Sequence, residues 1–254
     1  MTISLENQSV LVVGGARRIG KAVALECARA GASVAITFRR SHDDAQQTLE
    51  ELREIGGENA KFAAFALEIS DANAVSKLAD TVFAEFANLR GLVNCAAIFE
   101  RTPPETLSES DFDAHLSANL KGPFLLCQTF GKRFFEAPPF APNAENPASV
   151  VLFSDVFAQR PLANYIPYCA SKAGVEMLCA GFAKAWAPRV RVNCIAPGTI
   201  AASDENFEAD LLRRIPFGRA GTSEEIAQTA LFLLGGPQFI TGTTIRVDGG
   251  QFLR

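Results

Sequence analysis

The chain has 254 residues, 48% of them hydrophobic, and a formal net charge of −4. That is enough to bury one sizeable core, and the negative balance offers no field to gather phosphate backbones, so nucleic-acid binding is not expected. The start MTISLENQSV lacks the basic stretch, apolar run and cleavage site of a secretory signal, and no apolar run has the roughly 18 residues of a membrane span. A cytoplasmic protein with no membrane partner is expected. Cys27, Cys95, Cys127, Cys169, Cys179 and Cys194 form no CxxC, and the only histidines are His42 and His115, so no metal is expected.

In chain order, short β-branched runs alternate with helical spacing, which encodes a parallel sheet covered on both faces. Residues 9–13 (SVLVV) form a first strand, 21–29 a helix ended by Gly31, 34–38 a second strand and 43–55 a polar helix. Residues 62–66 form a third strand, with Asp71 placed to cap the helix after it, and 91–95 a fourth. A long helix is predicted over 110–135, then strands at 150–153 and 190–195 flanking a helix at 168–186, and a last strand at 243–247. The prolines of 137–147 (APPFAPNAENP) predict a surface loop. The expectation is a single α/β domain over 1–254, a Rossmann-type doubly wound parallel sheet of about seven strands.

The first strand runs into Gly14-Gly15-Ala16-Arg17-Arg18-Ile19-Gly20. Glycines at a strand-to-helix junction let the backbone approach a pyrophosphate at a helix N-terminus. An NAD enzyme places a carboxylate at the end of the second strand; here the residues are Arg39, Arg40 and Ser41, which favour a 2′-phosphate and hence NADPH. Tyr168 and Lys172 lie four apart in YCASKAG and share one helix face, where an ammonium stabilises phenolate and lowers the phenol's pKa.

GGARRIG, LVNCAA, NLKG, YCASK, RVNCIAPG and TGTTIRVDGG together resemble the landmarks of short-chain dehydrogenases, over residues 9–250. The resemblance implies that Tyr168 is the proton donor, that Lys172 binds the nicotinamide ribose and tunes Tyr168, and that Asn119 holds a relay water or fixes a helix distortion. It implies that Gly14, Arg17, Arg18, Ile19, Gly20, Arg39, Arg40, Ser41, Glu68, Ile69, Asn94, Ala96, Tyr168, Lys172, Pro197, Gly198 and Ile200 hold the cofactor. It also implies a homotetramer and a substrate lid over about 201–219.

The family's serine thirteen residues before the tyrosine is here Asp155; a register shift would bring Ser154 there instead. Asp155, Arg18 in place of the motif's middle glycine, and Phe99 as an aromatic platform resemble the pteridine and dihydromonapterin reductases. That resemblance implies a pterin-like substrate held by Arg18, Phe99, Asp155 and Tyr168. Ala97, Cys95, Glu68 and Ala202 depart from the usual residues, and Ala97 bears most on pterin specificity. The alternatives are a general carbonyl or 3-oxoacyl reductase, and a non-catalytic NADPH-binding sensor.

Overall fold

A computed structural model describes residues 2–136, 147–201 and 212–253. The strands are β1 (Ser9–Val13), β2 (Ser33–Phe38), β3 (Phe62–Ala66), β4 (Leu89–Asn94), β5 (Ala148–Phe153), β6 (Val190–Pro197) and β7 (Thr244–Val247). They form one sheet in the order β3-β2-β1-β4-β5-β6-β7, with every neighbouring pair parallel. All residues of β1, β5 and β6 are buried, as strands covered on both faces require.

The helices are α1 (Arg18–Arg29), α2 (His42–Ile55), α3 (Ala72–Glu85), α4 (Glu109–Leu116), α5 (Gly122–Leu126), α6 (Lys132–Glu136), α7 (Ile166–Trp186) and α8 (Ser223–Gly235). Side-chain alternation along β1 serves both layers. Val10 and Val12 pack with apolar residues of α1, α2 and α8, such as Val23, Leu52 and Ile226. Leu11 and Val13 pack on the other face with residues of α3, α5 and α7, such as Val75, Leu126 and Val175.

Helix ends are satisfied from the sequence. Asp71 accepts the Asn73 N–H at 2.8 Å, as its position predicts, and Ser108 and Thr222 each start a capping box. At the far end of α8, the buried Arg191 guanidinium donates to the carbonyls of Leu233 and Leu234 at 2.8 and 3.0 Å.

The predicted helix over 110–135 is interrupted twice. π-Helical turns at Ser117–Lys121 and Cys127–Gly131 separate α4, α5 and α6. For the first there is a reason in the sequence: Pro123 has no N–H to give to the carbonyl of Asn119, four residues back. The other predicted elements agree to within three residues at either end. The predicted loop over 137–147 falls, except for Pro147, outside the described residues. Among the described residues no helix is long and apolar enough to cross a membrane, and no group of three or more His, Cys, Asp or Glu could hold a metal.

Candidate active site

Parallel strands bring all their carboxyl ends to one edge of the sheet, and the predicted site residues gather there. Gly14 turns the chain out of β1 with φ 77°, and a Cβ on it would lie 2.9 Å from the Ala96 nitrogen. Gly20 is tighter: a Cβ would stand 2.0 Å from the Gly14 carbonyl oxygen. This glycine-only turn leads directly into α1, whose first turn holds no acidic residue to neutralise its N-terminal dipole. Arg18 opens the helix with φ 50°, the left-handed backbone that glycine adopts freely. The arginine thus keeps the backbone shape of the glycine it replaces, at a cost of about 1–2 kcal/mol.

At the end of β2, Arg39 and Arg40 are exposed and Ser41 is half-buried, its hydroxyl not engaged in capping α2. Arg39 lies 3.8 Å from Glu68, and Arg17 lies 3.6 Å from Asp44; all four side chains are roughly half exposed. Ile69 is buried against Gly122. Asn94, buried at the end of β4, accepts the Ala96 N–H at 3.3 Å. Pro197 ends β6; the Gly198 N–H donates to Val247 at 3.0 Å, and Ile200 makes a bridge to Gly221. Ile19 packs against the core of the α1 face. Ala202 and residues 202–211 of the predicted lid lie outside the described residues.

The second cluster forms between β5 and α7. The Tyr168 hydroxyl donates to Asp155 Oδ2 at 2.7 Å, while Asp155 Oδ1 accepts the Phe157 N–H at 2.9 Å. Lys172, one helical turn on, is 4% exposed and donates to the Phe153 carbonyl at 2.8 Å. Ser154 faces away: its hydroxyl donates to Glu176 at 3.0 Å, so the alternative register is not adopted.

Electrostatics here correct one expectation. The Tyr168 phenol is held well above its usual range rather than below it, first by burial and then by the adjacent Asp155 carboxylate, which together outweigh any lowering by Lys172. Burial raises Asp155 as well, against the lowering pull of the Phe157 N–H, the Tyr168 hydroxyl and Lys172. Burial lowers Lys172, opposed mainly by Asp155. Tyr168 therefore stays protonated at neutral pH, a donor poised beside a carboxylate.

Asn119 is fully buried in the first π turn and binds Ile98 in both directions: the Ile98 N–H donates to its Oδ1 at 2.8 Å, and its Nδ2 donates to the Ile98 carbonyl at 2.9 Å. Its side chain thus anchors the loop that carries Phe99. Phe99 is 53% exposed and touches Tyr168 edge-on, with ring centroids 4.7 Å apart. It stacks at 4.4 Å and 6° on Tyr165, a residue the motifs did not single out. The signal was available: Tyr165 and Tyr168 are the chain's only two tyrosines. Glu176 was also missed, although it shares a helical stripe with Tyr168 and Lys172 at spacings of four. Cys95 is half-buried, and desolvation pushes its thiol far up.

An apolar groove lies away from this chemistry. It is open, has a volume of about 930 Å³ and runs between α4–α5 and α7, lined by Leu116, Leu120, Phe124, Met177, Leu178 and Phe182.

Comparison with known proteins places this edge in context. Residues 14–251 match the family model described as enoyl-(acyl carrier protein) reductase. The chain is 35% identical to D-threitol dehydrogenase of Mycolicibacterium smegmatis, covering 98% of this chain and 95% of that protein. It is 33% identical to the 3-oxoacyl-[acyl-carrier-protein] reductase FabG of Staphylococcus aureus, covering 97% and 98%. A protein of Agrobacterium tumefaciens solved with NADP bound superposes with a TM-score of 0.85 at 30% identity, over 100% of this chain and 99% of that one. With its seven-stranded parallel sheet and its glycine-rich first turn, the chain belongs to the short-chain dehydrogenase/reductase superfamily, the nicotinamide-dependent oxidoreductases.

Proposed function

We propose that the chain is an NADPH-dependent reductase of small-molecule carbonyl groups. The observation that carries this reading is the Tyr168 hydroxyl bound to Asp155 at 2.7 Å, a phenol kept protonated beside a second proton-carrying group. Hydride transfer turns a carbonyl oxygen into a strongly basic alkoxide, which can take a proton even from a phenol held this high. The relatives named for 3-oxoacyl reduction and threitol oxidation act on carbonyl–alcohol pairs, which supports the substrate class.

NADPH is the proposed cofactor because Arg39, Arg40 and Ser41 stand where an NAD enzyme presents a carboxylate. The glycine cradle fits a pyrophosphate, since a Cβ at Gly14 or Gly20 would fill it. Arg17, Arg18, Ile19 and the α1 N-terminus would take the phosphates; Glu68, Ile69, Asn94 and Ala96 would border the adenosine, and Pro197, Gly198 and Ile200 the nicotinamide. When bound, the nicotinamide supplies hydride to the substrate carbon. Tyr168 then protonates the substrate oxygen, and Lys172 offsets the charge left on the phenolate. Asp155, with its raised pKa, returns a proton to Tyr168. Phenolate beside an ionised Asp155 is unfavourable, so turnover falls as pH climbs through the raised value of Asp155.

A second reading, reduction of a C=N bond in a flat nitrogen heterocycle such as a dihydropterin, is favoured by one feature. Asp155 is a carboxyl where a serine is expected, and the exposed Phe99 ring borders the same Tyr168. We also propose a homotetramer in which a second copy covers the apolar α4–α5/α7 groove.

The test is NADPH oxidation with a 3-oxoacyl thioester, a four-carbon ketose and dihydrobiopterin, each also run with NADH. Turnover on either carbonyl compound supports the main reading. Turnover on dihydrobiopterin alone replaces it with the second, and NADH matching NADPH removes the cofactor assignment.

A further inference from the structure

We propose that Glu176 is a positioning residue that clamps the segment carrying Asp155 and so holds its carboxyl against Tyr168. This rests on the reading of Tyr168 and Asp155 as the proton-transfer pair. The two carboxylate oxygens of Glu176 bind the two ends of one short segment. Oε1 accepts from Ser154 at 3.0 Å, and Oε2 accepts from Gln159 Nε2 at 2.7 Å. Asp155 lies between them, at the start of a single 3₁₀ turn, Val156–Ala158.

The segment leaves β5 extended, so Ser154 and Asp155 project to opposite sides. Pulling Ser154 toward Glu176 on one side aims Asp155 at Tyr168 on the other. Ser154 is 3% exposed, which leaves its hydroxyl nowhere else to turn but the Lys172 carbonyl at 3.2 Å. The far end of the clamp is braced in turn. Gln159 Oε1 accepts from Arg246 of β7 at 2.8 Å, and the Arg246 guanidinium lies 3.9 Å from the Phe252 ring centroid. Proton transfer needs its partners held to about 0.5 Å, which a short polar turn at a strand end does not provide by itself.

The chain's tyrosine count makes this measurable without substrate. In a Tyr165→Phe background Tyr168 is the one remaining tyrosine, and its ionisation is read from phenolate absorbance against pH. The ionisable groups facing Tyr168 are Asp155 from the segment after β5, with Lys172 and Cys169 from α7. In that background Asp155→Asn removes the carboxylate outright, Ser154→Ala cuts the clamp without changing charge, and Glu176→Ala removes it. Glu176→Gln keeps an acceptor for Ser154.

The expected result is a Tyr168 midpoint lowered by about one pH unit in Ser154→Ala and Glu176→Ala, since a nearby carboxylate holds a phenol up by that order. Glu176→Gln should stay closer to the parent, and Ser154→Ala should add nothing once Asp155 is Asn. A Ser154→Ala midpoint equal to the parent's, while Asp155→Asn moves, overturns the proposal. So does a Ser154→Ala shift that persists in the Asp155→Asn background, or an Asp155→Asn midpoint that does not move. If circular dichroism shows Glu176→Ala unfolded, Ser154→Ala decides. Failure of every carbonyl substrate would overturn the proposed reaction while leaving this titration readable.

Discussion

Along the carboxyl edge of the sheet, the β1–β3 half leaves its ionisable side chains in water, whereas the β5–α7 half buries them. Arg17, Arg39 and Glu68 are roughly half exposed and make loose pairs at 3.6 to 3.8 Å. Tyr168 and Lys172 are 6% and 4% exposed and are held at 2.7 and 2.8 Å. Exposed pairs are worth little and exchange partners readily, so an arriving phosphate can take Arg39 from Glu68 at small cost. Buried groups cannot re-pair, and their proton affinities are set by fixed neighbours. One half is arranged to be recruited by charge, the other to keep a proton in a defined place.

The largest expected effect tests the buried half. Tyr168→Phe should lower the rate of NADPH-dependent reduction roughly 1,000-fold, within the range for a general acid, while fluorescence titration still shows NADPH binding. Activity retained within tenfold would take the phenol out of the reaction. On the exposed half, Arg39→Ala with Arg40→Ala should weaken NADPH binding about 10- to 100-fold and leave NADH nearly unchanged, as loss of charged hydrogen bonds predicts. High salt should shrink that difference; a salt-independent loss would mean that the arginines act through packing.

A subtler effect comes from the carboxyl itself. The folded-state pKa of Asp155 is raised above its usual 3.8, so folding favours its neutral form. Its stabilising contribution is complete below that usual value and is lost as pH rises through the raised one. Comparing melting temperatures, Asp155→Asn should therefore gain on the parent as pH rises above about 4. A difference that stays flat with pH would mean that burial does not perturb the group. The smallest effect sharpens the turn before α1. Arg18→Gly relieves φ 50° and should add about 1 kcal/mol to stability in urea unfolding while weakening phosphate affinity.

The exposed half was legible because its meaning is local. Seven consecutive residues, Gly14 to Gly20, carry the turn, and Arg39-Arg40-Ser41 carries the charge. The Tyr168–Lys172 pair was equally readable from helical spacing. Three-dimensional facts were not. The direction of the Tyr168 shift depends on the Asp155 carboxyl meeting the phenol, which strand geometry decides and composition does not. The π turn at Asn119 was hidden inside a strong helical pattern, although Pro123 marked it. Arg18, Phe99 and Asp155 suggested a pterin, whereas the relatives reported above are named for reduction of 3-oxoacyl groups and oxidation of threitol. Three matching residues bear on the chemistry at one bond and say little about the shape of what carries it.

The strand order has a meaning for how the chain is made. β2 and β3 add outward on one side of β1, and β4, β5, β6 and β7 add in turn on the other. Each strand leaving the ribosome finds its partner already synthesised, so the sheet can widen in step with translation, without waiting for downstream sequence. The glycine turn and the Ala96 backbone against it are in place once β4 is made, and the Tyr168–Asp155 contact only once α7 begins. The newborn chain thus acquires the glycine-rich end of its proposed cofactor site about seventy residues before Tyr168 reaches Asp155.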